Sequence, residues 1–196
     1  LVIGIDPSAD MLAAAKERLA QAENVRLLEG SAEALPVEDA SLDGAVSLQV
    51  FEYVPDIHKA LAEVARVLKP GGRLVIGDMH FGTLAWFSEV PDRMKRMAES
   101  WERHVADVAT PVSLIPAMRA TGYEVEAVDV LPMFDTELRP DGLAMMMLVL
   151  MENFAVSNGH VSAEEARAWA DEQHALATEG RFFQSLNHFV IRARKL

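Results

Sequence analysis

Asp6 closes the apolar run Leu1 to Ile5 and is followed at once by Pro7 and Ser8. A carboxylate at a strand end is placed to do chemistry. In open α/β sheets ligands sit at the carboxyl ends of strands, where an acid can accept both hydrogen bonds of a ribose diol. The same carboxylate can instead cap the helix or turn that follows. Histidine supplies a second kind of chemistry, proton removal near neutral pH. His80 stands two residues past the run Arg73 to Asp78, at a strand end where such sheets build their sites. Its plainer role is a hydrogen bond to a loop. His104 falls in a polar helical stretch and His188 in the last apolar run, which point to an exposed and a structural role respectively. The six histidines show no ligand-like spacing, so no metal site is expected, and no nucleophilic triad is evident.

The elements that must position these groups are readable from periodicity. Leu1 to Ile5 is the pattern of a strand buried on both faces of a parallel sheet. Ser8 caps a helix that carries Met11, Leu12, Ala15 and Leu19 at helical spacing and is expected to run to about residue 22. A strand at 25–29, a polar connection and a strand at 42–48 follow. Asp56 caps a helix over 57–68 with Ile57, Leu61, Val64 and Leu68 in one stripe, stopped by Lys69-Pro70-Gly71-Gly72. A strand at 73–78 completes the alternation of a parallel sheet with crossover helices. Residues 79–112 read as irregular helical cover, a lid with Trp86, Phe87, Met94, Met97 and Trp101. A helix at 113–121, a strand at 123–130, helices at about 141–157 and 163–179 and a final strand complete the chain. No repeat or linker divides it, so one domain is expected, with insertions at 79–112 and 139–180.

Composition narrows the function. Thirty acidic against eighteen basic residues give a formal charge of −12, which repels polyanions, so nucleic acid is not an expected partner. The run from Leu143 to Met151 is far too short to span a bilayer. Zero cysteines suit a reducing compartment such as the cytoplasm. A chain that starts inside a strand is expected to have lost its natural beginning.

Four stretches in order, VIGIDPSADML at 2–12, VRLLEGSAEALPVEDASLDGAVS at 25–47, LQVFEYVPD at 48–56 and LAEVARVLKPGGRLVIGD at 61–78, resemble the class I S-adenosylmethionine-dependent methyltransferases. The likeness is to the small-molecule branch that includes ubiquinone and menaquinone biosynthesis enzymes. The tail at 159–195 also looks like the end of such enzymes. The resemblance implies a Rossmann-like doubly wound, mostly parallel sheet with an antiparallel last strand, and S-adenosyl-L-methionine as cofactor. It implies direct displacement of a methyl group onto a small organic acceptor, apolar or aromatic, with no nucleophilic triad needed.

The same resemblance assigns roles. Asp6 would hold the ribose hydroxyls. Ser31, Ala32 and Glu33 would read the adenine edge, with Ser31 where the family more often has Asp. Leu48 and Gln49 would run beside the methionine part, and Glu52 and Tyr53 would face the acceptor together with Trp86 and Trp101. His80 would be the base. Leu48 and Phe51 can equally be core, Glu33 can bond backbone in its own turn, and Met146 and Met147 can face a second copy. The family's first strand and glycine-rich loop have no counterpart in these residues. Two other readings stand beside the enzyme: a non-catalytic binding scaffold of the same fold, and a nicotinamide-dependent oxidoreductase.

Overall fold

A computed structural model describes residues 1–196. Strand β1 (Val2–Asp6), helix α1 (Ala9–Arg18) and strand β2 (Val25–Glu29) open the chain, and β1 pairs in parallel with β2 from Val2↔Val25 to Asp6↔Glu29. Ser8 caps α1 as expected, accepting from Met11 N at 3.3 Å. The helix stops at Arg18, short of the expected end. No residue before Phe51 is buried: α1 packs on β1 and β2 with Leu12 and Ala15 half-buried, while Met11 and Leu19 are exposed.

A second sheet holds β3 (Leu42–Leu48), β4 (Leu68–Trp86), β5 (Tyr123–Asp135) and β6 (Gln184–Lys195) in the order β3-β4-β6-β5. β3 and β4 are parallel, and β6 runs antiparallel to both its neighbours. The expected antiparallel last strand is therefore present. Between β3 and β4 lies α2 (Ile57–Val67), capped by Asp56, which accepts from Lys59 N at 3.0 Å. The Lys69 to Gly72 stop loops out between the pairs Leu42↔Leu68 and Gly44↔Arg73. Gly71 takes a left-handed φ of 75°, and a Cβ on Gly72 would lie 2.8 Å from Lys69 O, so the loop needs both glycines.

Two cores flank this sheet. One joins α2 and α4 (Thr110–Ala120) to the inner half of β4 and to β6 through Leu61, Leu74, Ile76, Leu114, Met118 and Ile191. The other joins the outer half of β4 to α3 (Pro91–Glu102), α5 (Leu143–Ser157) and α6 (Ala163–Thr178), around Met97, Met151 and Trp169. The segment 79–112 is only partly the helical cover expected of it. β4 continues through it to Trp86 because β6 supplies ladder partners out to Gln184, with four residues bulged between His80 and Ala85. β5 likewise runs on to Asp135 against the same strand. α4 begins at Thr110 rather than Ser113, with Pro111 in its first turn, where a missing N–H costs nothing. No helix is long and apolar enough to cross a membrane.

Candidate functional site

Asp6 ends β1 half-buried. Its Oδ1 accepts from Ser8 N at 2.8 Å, which turns the chain into α1, and Oδ2 bonds no protein group. The neighbouring strand ends in the segment 30–41, where Ser31 is exposed and bridges Ala34, and Ala32 and Glu33 are half-buried. Glu33 does bond backbone, though at the start of α2 rather than in its own turn: Oε1 accepts from Asp56 N at 3.2 Å, and Lys59 lies 3.7 Å from Oε2. The whole segment is tied to α2. Leu35 N donates to Glu63 at 3.0 Å, while Arg66 donates to the carbonyls of Leu35 and Val37 at 2.9 and 2.8 Å. α2 thus places the residues that follow β2 relative to β3.

At the carboxyl end of β3, Leu48 is 65% exposed, an apolar side chain offered to solvent. Gln49 takes a left-handed φ of 55° while its N donates to Gly77 O at 2.7 Å. This is an uncommon conformation for a residue bearing a Cβ, held by the ladder on one side and the following turn on the other. The one-turn 3₁₀ helix Phe51–Tyr53 follows. Phe51 is core, as its composition suggests. Glu52 is almost fully buried, and its Oε2 accepts from Met79 N at 3.0 Å. Asp78, also buried, accepts from Val50 N at 3.0 Å through Oδ1, and Oδ2 has no partner. The two carboxyl groups lie against one another. Burial first and the Glu52 charge second push Asp78 up to about 7. Burial also raises Glu52, and burial and then Glu52 push the Tyr53 hydroxyl up to about 12.

Two histidines stand on β4 and β6 nearby. His80 Nδ1 is buried without a partner, and its ring lies 6.0 Å from that of Phe189. His188, opposite Met79 in the ladder, is 8% exposed and also leaves Nδ1 unpartnered. Burial holds His188 below the usual imidazole range. A Cβ on Gly77 would sit 2.7 Å from Leu48 Cδ1 and 2.9 Å from His188 Cε1, so the leucine and the imidazole close over a bare backbone. Nothing local in the sequence marks His188, because its place beside Leu48 is made by pairing across more than a hundred residues.

The aromatic residues divide. Trp86 donates from Nε1 to Gln173 Oε1 at 2.9 Å and packs on Trp169 and Phe182. It also walls an apolar groove of about 330 Å³ with Leu84, Phe87, Pro91, Met94 and Ala98. Trp101 is brought instead to the β3 side, its ring 4.5 Å from that of His104, which meets Tyr53 edge-on at 5.4 Å. Glu52, Tyr53 and Trp101 therefore gather at one strand end, and Trp86 lies apart from them. Met146 is 53% exposed, whereas Met147 is core.

Comparison with known proteins bears on the sequence family and the fold. Residues 1–76, which contain Asp6, the 31–33 segment, Leu48 and Gln49, match the family model described as a methyltransferase domain. An uncharacterized 37.1 kDa protein in transposon TN4556 of Streptomyces fradiae is 33% identical over 98% of this chain and 55% of its own length. A demethylmenaquinone methyltransferase of Staphylococcus aureus is 44% identical over 45% of this chain and 37% of its own. The chain thus spans about half the length, or less, of these curated relatives. Among solved structures, a protein of Bacillus halodurans C-125 provisionally assigned as a methyltransferase superposes with a TM-score of 0.66 at 17% identity. That superposition covers 99% of this chain and 82% of the other. Geranyl diphosphate C-methyltransferase of Streptomyces coelicolor, crystallised with S-adenosyl-L-homocysteine, gives 0.54 at 18%, covering 100% and 61%. Residues 1–76 thus carry sequence of a methyltransferase domain, and the chain as a whole has the Rossmann-like α/β fold of the S-adenosylmethionine-dependent methyltransferases.

Proposed function

We propose that the protein moves a methyl group from S-adenosyl-L-methionine to a small organic acceptor, apolar or aromatic, by direct displacement. The observation that carries this reading is the pair of strand ends. β1 ends in a carboxylate with a free oxygen, and β3 ends in an exposed leucine followed by a strained backbone turn. These residues fit the cofactor by type. Asp6 has acceptor capacity left for a ribose diol, Ser31 through Glu33 offer polar groups to an adenine edge, and Leu48 with Gln49 offers an apolar surface to the methionine chain.

The cofactor, when bound, supplies the electrophilic methyl group. The chain's own task is to orient, to exclude water and to take up a proton. The buried Glu52–Asp78 pair fixes the backbone at Val50 and Met79, so the acceptor side of β3 is held against β4. Tyr53 and Trp101 are the acceptor-facing residues, and the groove walled by Trp86 lies apart from them. His80, with a buried and unpartnered ring nitrogen, is the group for proton removal. The absence of cysteine fits work in the reducing cytoplasm.

A scaffold reading is favoured by one observation, the lack of any buried residue before Phe51. Calorimetry on the whole protein with S-adenosyl-L-homocysteine separates the two. Binding that weakens on Asp6→Ala is expected, and no binding, or binding indifferent to Asp6, overturns the enzyme reading.

A further inference from the structure

We infer that Tyr53, His104, Trp101 and Phe154 form a built shelf that takes a flat aromatic ring bearing a hydrogen-bond donor, with His104 as the residue that selects it. The inference deepens the acceptor side of the methyltransferase reading and rests on it for the role of the ligand, though not for its binding.

Sequence separates these residues widely, and three elements bring them together: the 3₁₀ turn after β3, the end of α3 with its following loop, and α5. His104 lies at the centre. Its ring is 4.5 Å from Trp101 with planes 32° apart, 5.4 Å edge-on from Tyr53 and 5.0 Å edge-on from Phe154. Trp101 and Phe154 meet edge-on in turn at 6.0 Å. Buried aromatic clusters of this kind are ordinary core. This one is not buried, because Tyr53 is 44% exposed and His104 is exposed, while only Trp101 is enclosed.

The placement is fixed by backbone rather than by a loose loop. Glu52 O accepts from Ala106 N at 2.7 Å, and Gly82 N donates to Val108 O at 3.1 Å, so the loop is fastened to both β3 and β4. Asp107 braces the same loop, accepting from Ala109 N and from Ser113 Oγ. Behind the shelf, Ser100 Oγ lies 2.9 Å from His160 Nδ1, and the His160 ring packs on Phe154 at 5.7 Å. Trp101 itself is 5% exposed and its indole N–H has no partner, so it forms the enclosed floor of the cluster.

The chemistry selects the occupant. The exposed ring surface of Tyr53 and His104 favours a planar aromatic over a saturated body. Packing of the His104 ring on Trp101 and Phe154 partly desolvates it and holds the imidazole below its usual range, and a neutral imidazole has one ring nitrogen that accepts a hydrogen bond. The neighbouring cleft, about 600 Å³, presents Glu99, Glu102 and Asp107 with one arginine, Arg103, which disfavours an anionic ring and suits a phenol or an amine.

The test titrates the whole protein with 2-naphthol, following the His104 ring resonances by NMR. Decahydro-2-naphthol, the saturated body with the same donor, serves as comparison. Binding of 2-naphthol should shift the His104 resonances, and the saturated alcohol should bind at least about fivefold more weakly, the ratio expected of one aromatic pair. His104→Leu should weaken 2-naphthol about tenfold, and His104→Phe, which keeps the ring and loses the acceptor nitrogen, should fall between. Equal binding of the two alcohols, no shift at His104, or unchanged affinity in a His104→Leu protein that unfolds at the parent temperature overturns the inference. S-adenosyl-L-homocysteine titrated into the same samples reads the methyltransferase proposal by itself, so either can fail without the other.

Discussion

Glu52 and Asp78 each hold the other's strand: Glu52 accepts the amide of Met79, and Asp78 accepts the amide of Val50, both at 3.0 Å. Their carboxyls face one another in a buried space, so two negative charges there are costly and both groups are raised above the usual carboxylate range.

This relationship fixes the sign of a pH effect. Asp78 is raised in the folded state, so its contribution to stability is fully present below its unfolded value of 3.8 and is lost as pH rises through about 7. Glu52 is raised and acts in the same direction. Asp78→Asn keeps an acceptor for Val50 N and cannot ionise. Its stability relative to the parent should improve between pH 5 and pH 8, by up to a few kcal/mol if the pair titrates alone. Thermal unfolding at the two pH values checks this, and a pH-independent difference would contradict it.

His188 carries the opposite sign. Burial lowers it, so its contribution to stability is present above its unfolded value of 6.5 and is lost as pH falls. His188→Gln should flatten the loss of stability on acidification below about pH 6, measured by denaturant unfolding.

Gly77 can be tested sterically. In Gly77→Ala the new Cβ would fall 2.7 Å from Leu48 Cδ1 and 2.9 Å from His188 Cε1, and His188 is enclosed. A cost of about 1–3 kcal/mol is expected. Leu48, the more exposed, should yield, so S-adenosyl-L-homocysteine affinity should fall as well.

Asp6→Asn retains the acceptor for Ser8 N and removes the charge. Loss of a charge-assisted hydrogen bond to ribose should weaken S-adenosyl-L-homocysteine roughly tenfold or more, with unfolding temperature nearly unchanged because the side chain is only half-buried. Calorimetry and a thermal melt decide it together.

Arg66→Met should loosen the segment 30–41, which that guanidinium holds through Leu35, Val37 and Asp39. Faster cleavage within 31–41 by a non-specific protease is the readout, and parent-like cleavage would deny the tie.

The order of strands and helices was legible because caps, glycine stops and apolar periodicity act locally. Ser8 and Asp56 each cap the helix expected of them. The extension of β4 to Trp86 was not legible, since Met79 and Phe81 read equally as helix and only β6 decides them. In the site, Asp6 and Leu48 stand at strand ends as their spacing suggests. The Glu52–Asp78 clasp, the approach of His188 to Gly77 and the meeting of His104 with Tyr53 join residues 26, 111 and 51 positions apart in the sequence. Such encounters belong to topology and leave no trace in local pattern. Trp86 and Trp101 share one core, yet Trp86 turns to Trp169 and Gln173 while Trp101 turns to His104 and Phe154.

β1 and β2 share no ladder hydrogen bond with the four-stranded sheet. Asp6 and Leu48 therefore stand at strand ends in different sheets, joined through the segment that α2 grips. A molecule touching both would act as a strut between them, and its grip would be felt mostly as lost freedom of the opening β-α-β unit. Amide exchange in residues 2–29 should slow on ligand addition far more than exchange in β4 or β6, whose ladders are already closed.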